Sequence, residues 1–259
     1  MTNLKQTAAA LTLAALLALG PAALASTANA GANDAKIQTV ITQKLQQKSD
    51  FKDVRSTVEN GTVTLTGTVD TYRQKLDAEK VARKSDKQVK EVRDLVQVAG
   101  PTVPDDVLRK KLAGALAYDR VGYGETPFNV ITLAVNNGVV TLGGEVVDYP
   151  SYNDALGIVQ TTKGVKDVIS TLKVAPVSNF DDGLRLRLFR AIYGDSVLSK
   201  YWTDPAKPIR ILVNNGHIAL YGQVDNQSEV NIAGIRANSV FGGFSVENHL
   251  TTAPTDVVK

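Results

Sequence analysis

The sequence predicts an α+β fold of three tandem small modules. Each runs helix, strand, strand, helix, strand, with a three-stranded mixed sheet covered by two helices. Three observations carry this. A hairpin segment is written three times: Asn60-Gly61-Thr-Val63-Thr-Leu65-Thr-Gly67-Thr-Val69, Asn137-Gly138-Val-Val140-Thr-Leu142-Gly-Gly144-Glu-Val146 and Asn215-Gly216-His-Ile218-Ala-Leu220-Tyr-Gly222-Gln-Val224. The turn glycines Gly61, Gly138 and Gly216 stand 77 and then 78 residues apart. That period exceeds the roughly 20–50 residues of a solenoid unit and suits a small domain. Lastly, each hairpin is followed by an apolar stripe at helical spacing and then by a further strand.

The elements follow in order. Ile37 to Gln47 reads as a helix with Ile37, Val40, Ile41 and then Lys44 or Leu45 on one face, the pattern of a helix buried on one side. Val54 to Glu59 is the first strand, and Asn60-Gly61 is a tight turn whose residues both tolerate positive φ. Val63, Leu65, Gly67 and Val69 then alternate with Thr62, Thr64, Thr66 and Thr68, as in a strand with one wet face. Asp70, Asp148 and Asp225 recur after this strand and read as caps of the second helix. In that helix Ala78, Val81, Ala82 and Ser85 share a spacing with Ala155, Ile158, Val159 and Thr162; Arg236 interrupts the third copy. The closing strands are Val89–Val96, Val165–Leu172 and Gly243–Leu250. The structural glycines Gly67, Gly144 and Gly222 occupy inward strand positions, where glycine signals close approach of another backbone. A helix crossing the sheet is the expected neighbour. The linkers Gly100-Pro101-Thr-Val-Pro104 and Ala175-Pro176-Val-Ser-Asn are short and stiffened by proline, which favours modules packed against each other.

Composition bounds the environment. Lys5, an apolar stretch from Ala8 to Leu19, Gly20-Pro21 and Ala23-Leu24-Ala25 read as a secretory signal peptide over residues 1–25, with Ala28-Asn29-Ala30 as a second candidate cleavage site. The stretch falls short of the ~20 apolar residues needed to span a bilayer. No cysteine is present, which excludes disulfides, thiolate metal sites and an N-terminal lipidated Cys. The expectation is a soluble bacterial periplasmic protein whose modules occupy residues 34–99, 104–175 and 180–251. Residues 34–99 hold 13 basic and 10 acidic side chains, 101–178 hold 7 and 8, and 180–250 hold 7 and 7. Nothing here forms the basic stripe of a nucleic-acid binder.

No reactive constellation emerges. His217 and His249 have no second histidine at ligand spacing and no thiol. Ser245 and Asp225 lack the motif of a nucleophile elbow. Gly122-Tyr-Gly124 lacks the Lys-Ser/Thr of a phosphate loop. The expectation is a non-enzyme without cofactor or metal. The candidate lipid contacts lie in the third module: Arg185, Arg187 and Arg190 on its first helix, then Lys200, Tyr201 and Trp202. Basic residues beside Trp and Tyr suit a headgroup-level interface. Arg109, Lys110 and Lys111 form a second basic patch.

Hairpin, inward glycine, second helix and then Gly-Val-x-x-Val-x-x-x-Leu, carried best by Val139 to Leu172 with Gly164-Val165-Lys-Asp-Val168, resemble the BON domain. The resemblance covers nearly all of the chain after the leader. The whole is similar to OsmY-type periplasmic proteins, with three copies in place of their usual two. Gln88, where the other copies have glycine, and the irregular second helix of the third copy depart from the pattern. The resemblance implies a periplasmic protein linked to envelope or osmotic stress that binds anionic phospholipid or membrane surfaces. It offers no catalytic residues. It leaves open a second reading, a protein-binding or chaperone-like module acting on envelope or exported proteins.

Overall fold

The computed structural model describes residues 21–119, 123–205 and 207–253, and the side chains among them from residue 31 onward. Residues 1–20 of the expected signal peptide lie outside the described residues, as does Gly122. The first module comprises α1 (Pro21–Gln46), β1 (Val54–Glu59), β2 (Thr62–Val69), α2 (Tyr72–Arg83), β3 (Glu91–Asp94) and β4 (Gln97–Val98). The second comprises α3 (Asp105–Tyr118), β5 (Val130–Asn136), β6 (Val139–Val146), α4 (Tyr149–Thr161), β7 (Asp167–Ser170) and β8 (Lys173–Val174). The third comprises α5 (Asn179–Tyr193), α6 (Lys200–Thr203), β9 (Arg210–Asn214), β10 (His217–Gln223), α7 (Gln227–Asn238) and β11 (Ser245–Thr251). This is the predicted α+β architecture. The second strand of each hairpin is central, antiparallel to the first strand and parallel to the closing one. Each sheet packs an apolar face against two helices: Ile37, Ile41 and Leu45 of α1 meet Val63, Leu65, Ala78 and Ala82 in one fully buried cluster. The other modules repeat it around Leu108, Leu112, Val140 and Leu142, and around Leu184, Leu188, Ile218 and Leu220.

The details depart from expectation for local reasons. α1 starts well before Ile37. In the first two modules the closing strand is interrupted, because the Val96 amide donates to Asp94 Oδ1 (2.9 Å) and the Leu172 amide to Ser170 Oγ (3.4 Å). Asp148 caps its helix as predicted, accepting from the Ser151 amide at 2.8 Å. Asp70 and Asp225 do not: Thr71 caps α2 in a capping box with Gln74, and Asn226 caps α7. The cap thus holds one place in all three modules, four residues after Gly67, Gly144 and Gly222, and Asp70 and Asp225 stand one residue before it. Arg236 stays out of the core and pairs with Asp195 at 2.7 Å.

The glycines expected to face inward are not buried, Gly144 being exposed and Gly67 and Gly222 half-buried, and they are explained by the neighbouring strand and not by a crossing helix. Gly67, Gly144 and Gly222 have φ of +112°, +98° and +135°, a region that strains side chains other than glycine's. A Cβ at Gly144 would stand 2.0 Å from the Val130 carbonyl oxygen, and one at Gly67 only 1.9 Å from that of Asp53. The central strand turns there so that the first strand's backbone crosses the space a side chain would fill.

The modules touch. α2 packs on α4, Tyr72 rests on the second core, and Lys163 lies 3.6 Å from Asp70. Between the second and third modules the buried Arg210 guanidinium donates to the carbonyls of Thr126 (2.8 Å) and Asn129 (2.7 Å). Burial pushes its pKa down to about 10, so it stays charged at neutral pH. Phe128 of the second module packs against the third core.

Candidate functional site

One end of each module is built alike. An aspartate of its first helix, midway along α1 and in the first turn of α3 and α5, accepts from both backbone amides of the Asn-Gly turn: Asp34 from Asn60 (2.6 Å) and Gly61 (2.9 Å), Asp105 from Asn137 (2.6 Å) and Gly138 (2.9 Å), Asp181 from Asn215 (3.0 Å) and Gly216 (2.8 Å). The closing strand then donates an amide to the turn glycine's carbonyl, from Lys90 (2.9 Å), Lys166 (2.9 Å) and Phe244 (2.8 Å). These bonds set the three segments in register. Lys87 and Lys90 in the first module correspond to Lys163 and Lys166 in the second, and to Phe241 and Phe244 in the third.

The three ends differ in what surrounds them. In the first module, Asn33, Asp34, Lys87, Gln88 and Lys90 line an open cavity of about 420 Å³. In the second, the preceding linker covers the end: Val103 lies against Gly164, and Gly100 is close to the Gly164 amide. In the third, the segment Phe241-Gly-Gly-Phe244 meets the turn, with the Phe244 ring 2.7 Å from where a Cβ at Gly216 would stand. Gly242 has φ +103°, and Gly243 sits where a Cβ would meet Ile218 at 2.5 Å. The glycines therefore keep the loop low and turn both phenylalanines outward. Phe241 is 93% exposed and Phe244 71%. Phe180, at the start of α5 and 48% exposed, stacks on Phe244 at 6.1 Å between centroids. His217 meets the Phe244 ring edge-on at 6.0 Å. The exposed Arg187 borders the group, within 3.2 Å of a Cβ built at Gly242. Large apolar side chains so gathered and so exposed mark a contact surface.

The residues expected to contact lipid are not gathered. Arg185 is buried; it donates to Asp182 (2.6 Å) and to the Val213 carbonyl (2.7 Å), tying α5 to β9. Tyr201 is buried and donates to Glu229, which also accepts from Lys200 at 2.7 Å. Lys200 is paired again with Asp225 at 2.6 Å. Burial first, and then the Glu229 carboxylate, push the Tyr201 hydroxyl up to about 12. Trp202, 43% exposed, stands edge-on to Phe189 at 4.8 Å and near Tyr193 at 5.7 Å. Phe189 in turn faces Phe128 of the second module at 6.3 Å. Lys200, Tyr201 and Trp202 thus brace the third module and its junction. Arg187 and Arg190 remain exposed on α5; Lys110 and Lys111 are exposed on α3, with Arg109 half-buried beside them.

The histidines are superficial. His217 Nδ1 lies 2.8 Å from Ser245 Oγ, and His249 Nε2 lies 3.1 Å from Glu247. Asp225 is engaged with Lys200 and completes no triad with them. Among the described residues no group of His, Cys, Asp and Glu is placed to hold a metal ion, and no helix is long and apolar enough to cross a membrane.

The family comparison agrees with the three-module architecture. The BON domain profile matches residues 33–100, 104–176 and 195–254; the third match begins after α5. An "Uncharacterized protein in gshII 5'region" from Anaplasma centrale is 32% identical over 151 residues, 55% of this chain and 95% of that protein. Among solved structures, CdsD, a structural protein of the type III secretion system of Chlamydia trachomatis, is 15% identical, covering 85% of this chain and 93% of the other at a TM-score of 0.24. The PrgH periplasmic domain is 12% identical, covering 76% and 92% at 0.21.

Proposed function

We propose that this chain, which belongs to the BON domain family, is a periplasmic envelope adaptor that docks on anionic phospholipid surfaces through the turn end of its third module. The family is associated with membrane and phospholipid binding. One observation carries the assignment to this end: Phe241 and Phe244 stand open to solvent where both other modules carry lysines. Full burial of a phenylalanine side chain is worth about 1.5–3 kcal/mol, and a basic residue near an anionic surface about 1 kcal/mol. Two inserted rings with Arg187 beside them therefore hold the module to a membrane reversibly. A fixed turn, pinned by Asp181, presents the rings without an ordering cost. The chemistry asked of the protein is contact alone.

Co-sedimentation with anionic and neutral vesicles at two salt concentrations tests this. The chain binds anionic vesicles at low salt and less at high salt. Phe241→Ser with Phe244→Ser abolishes retention, and Arg187→Gln flattens the salt dependence. A double variant that sediments like the parent moves the site elsewhere. No retention of the parent on anionic vesicles at low salt refutes lipid binding.

A further inference from the structure

We infer that α1 is a precursor helix cut between Ala30 and Gly31 during export, an inference that rests on the periplasmic reading above. Two places before the first core residue carry small residues in the small-x-small pattern of a cleavage site, Ala23-Leu24-Ala25 and Ala28-Asn29-Ala30. The sequence does not choose between them. The fold does.

Among the described side chains, the contacts of α1 with its module begin at Asp34. Gly31, Ala32 and Asn33 are exposed, and a Cβ at Gly31 would find no atom within 4 Å. Asp34 makes a tertiary bond through the turn amides, and Ile37 is the first buried side chain described. The sister modules show how much helix that arrangement needs. Asp105 is the first residue of α3 and Asp181 the third of α5. A chain starting at Gly31 makes Asp34 its fourth residue and matches them. A chain starting at Ser26 keeps eight residues ahead of Asp34, about two turns of helix more than the sister modules need.

Energetics point the same way. Glycine and asparagine at 31 and 33 are poor helix formers, and residues 31–33 are exposed. The segment unwinds at little cost and exposes the bond to a membrane-bound signal peptidase. Water adds across the Ala30–Gly31 peptide bond, leaving a carboxylate on Ala30 and an ammonium on Gly31, and no other reactant is needed. The new ammonium stands at the positive end of the α1 dipole, an unfavourable place. Asp34, one turn away, offsets it; from Ser26 no acidic residue occurs before Asp34.

The test is the intact mass and N-terminal sequence of the full chain, expressed in a bacterial host with a periplasm and recovered from that compartment. The expected terminus is Gly-Ala-Asn-Asp, from Gly31. A Ser26 terminus overturns the assigned bond while leaving export in place. An uncut chain confined to the cytoplasm overturns the export reading itself. Ala30→Gln is expected to accumulate precursor or shift the terminus to Ser26, and Ala25→Gln to leave Gly31 unchanged. Unaltered cutting in the first variant, or its loss in the second, contradicts the assignment.

Discussion

The Asp105 carboxylate holds the backbone amide of Gly138 at 2.9 Å across 33 residues of chain. The same bond joins Asp34 to Gly61 and Asp181 to Gly216. In each module it clamps the first helix to the hairpin turn, so the position of the turn end is fixed by a helix and not by the loop alone. Asp105→Ala leaves two turn amides without their acceptor, and hydrogen bonds to a charged group are worth about 1.5–3 kcal/mol. The expected loss is about 1–3 kcal/mol in urea unfolding at pH 7, with a smaller loss for Asp105→Asn, which keeps one acceptor oxygen.

Gly144 is predicted to tolerate no side chain. Gly144→Ala meets both a left-handed backbone and the Val130 carbonyl at 2.0 Å. Backbone strain of about 1–3 kcal/mol adds to overpacking of similar size, so a loss of about 2–4 kcal/mol is expected in the same urea titration. An alanine variant with an unchanged midpoint contradicts the account of the inward glycines.

Arg210 joins two modules by donating to two carbonyls of its neighbour. Arg210→Met retains the length and removes the donors, leaving the Thr126 and Asn129 carbonyls to compete for water. The expected loss is about 1–3 kcal/mol. Trp202, the single tryptophan, sits in the aromatic group that meets Phe128 through Phe189. Its emission is therefore expected to shift to the red as the junction loosens. Unaltered emission and stability contradict the bridging role.

Glu229 makes stability depend on acid. Burial alone raises its pKa, but the bonds from Lys200 and Tyr201 outweigh burial and hold it below the usual carboxylate range. A carboxylate lowered in the folded state stabilises fully above the unfolded pKa of about 4.3. That contribution fades as pH falls through the lower folded value. Melting temperatures from pH 7 down to pH 3 are expected to fall, and Glu229→Gln to start lower and fall less steeply. Parallel curves for the two proteins contradict this assignment.

Local pattern made the hairpins, the wet threonine face and the two covering helices legible, because each is fixed by residues within about a dozen positions. The centre of each sheet and the role of the inward glycines were not, since they depend on which backbone comes alongside. Arg185 reads as one more cation on a basic helix; only contact with the Val213 carbonyl, 28 residues away, buries it. Lys200, Tyr201 and Trp202 read as an interfacial cluster, yet Glu229, Asp225 and Phe189 claim them. The aromatic end was missed because Phe180 and Phe244 stand 64 residues apart in the sequence and meet only through the fold. Its signal was present in the repeats, as the exchange of Lys87 and Lys90, or Lys163 and Lys166, for Phe241 and Phe244.

The most direct measurement places a reporter on the proposed contact. In a variant carrying Trp202→Phe and Phe241→Trp, the only indole stands at the tip of the third module. With anionic vesicles containing brominated acyl chains, its emission is predicted to move to the blue and be quenched most by bromines near the headgroups. Vesicle-bound protein whose indole emission neither shifts nor is quenched contradicts insertion of this end.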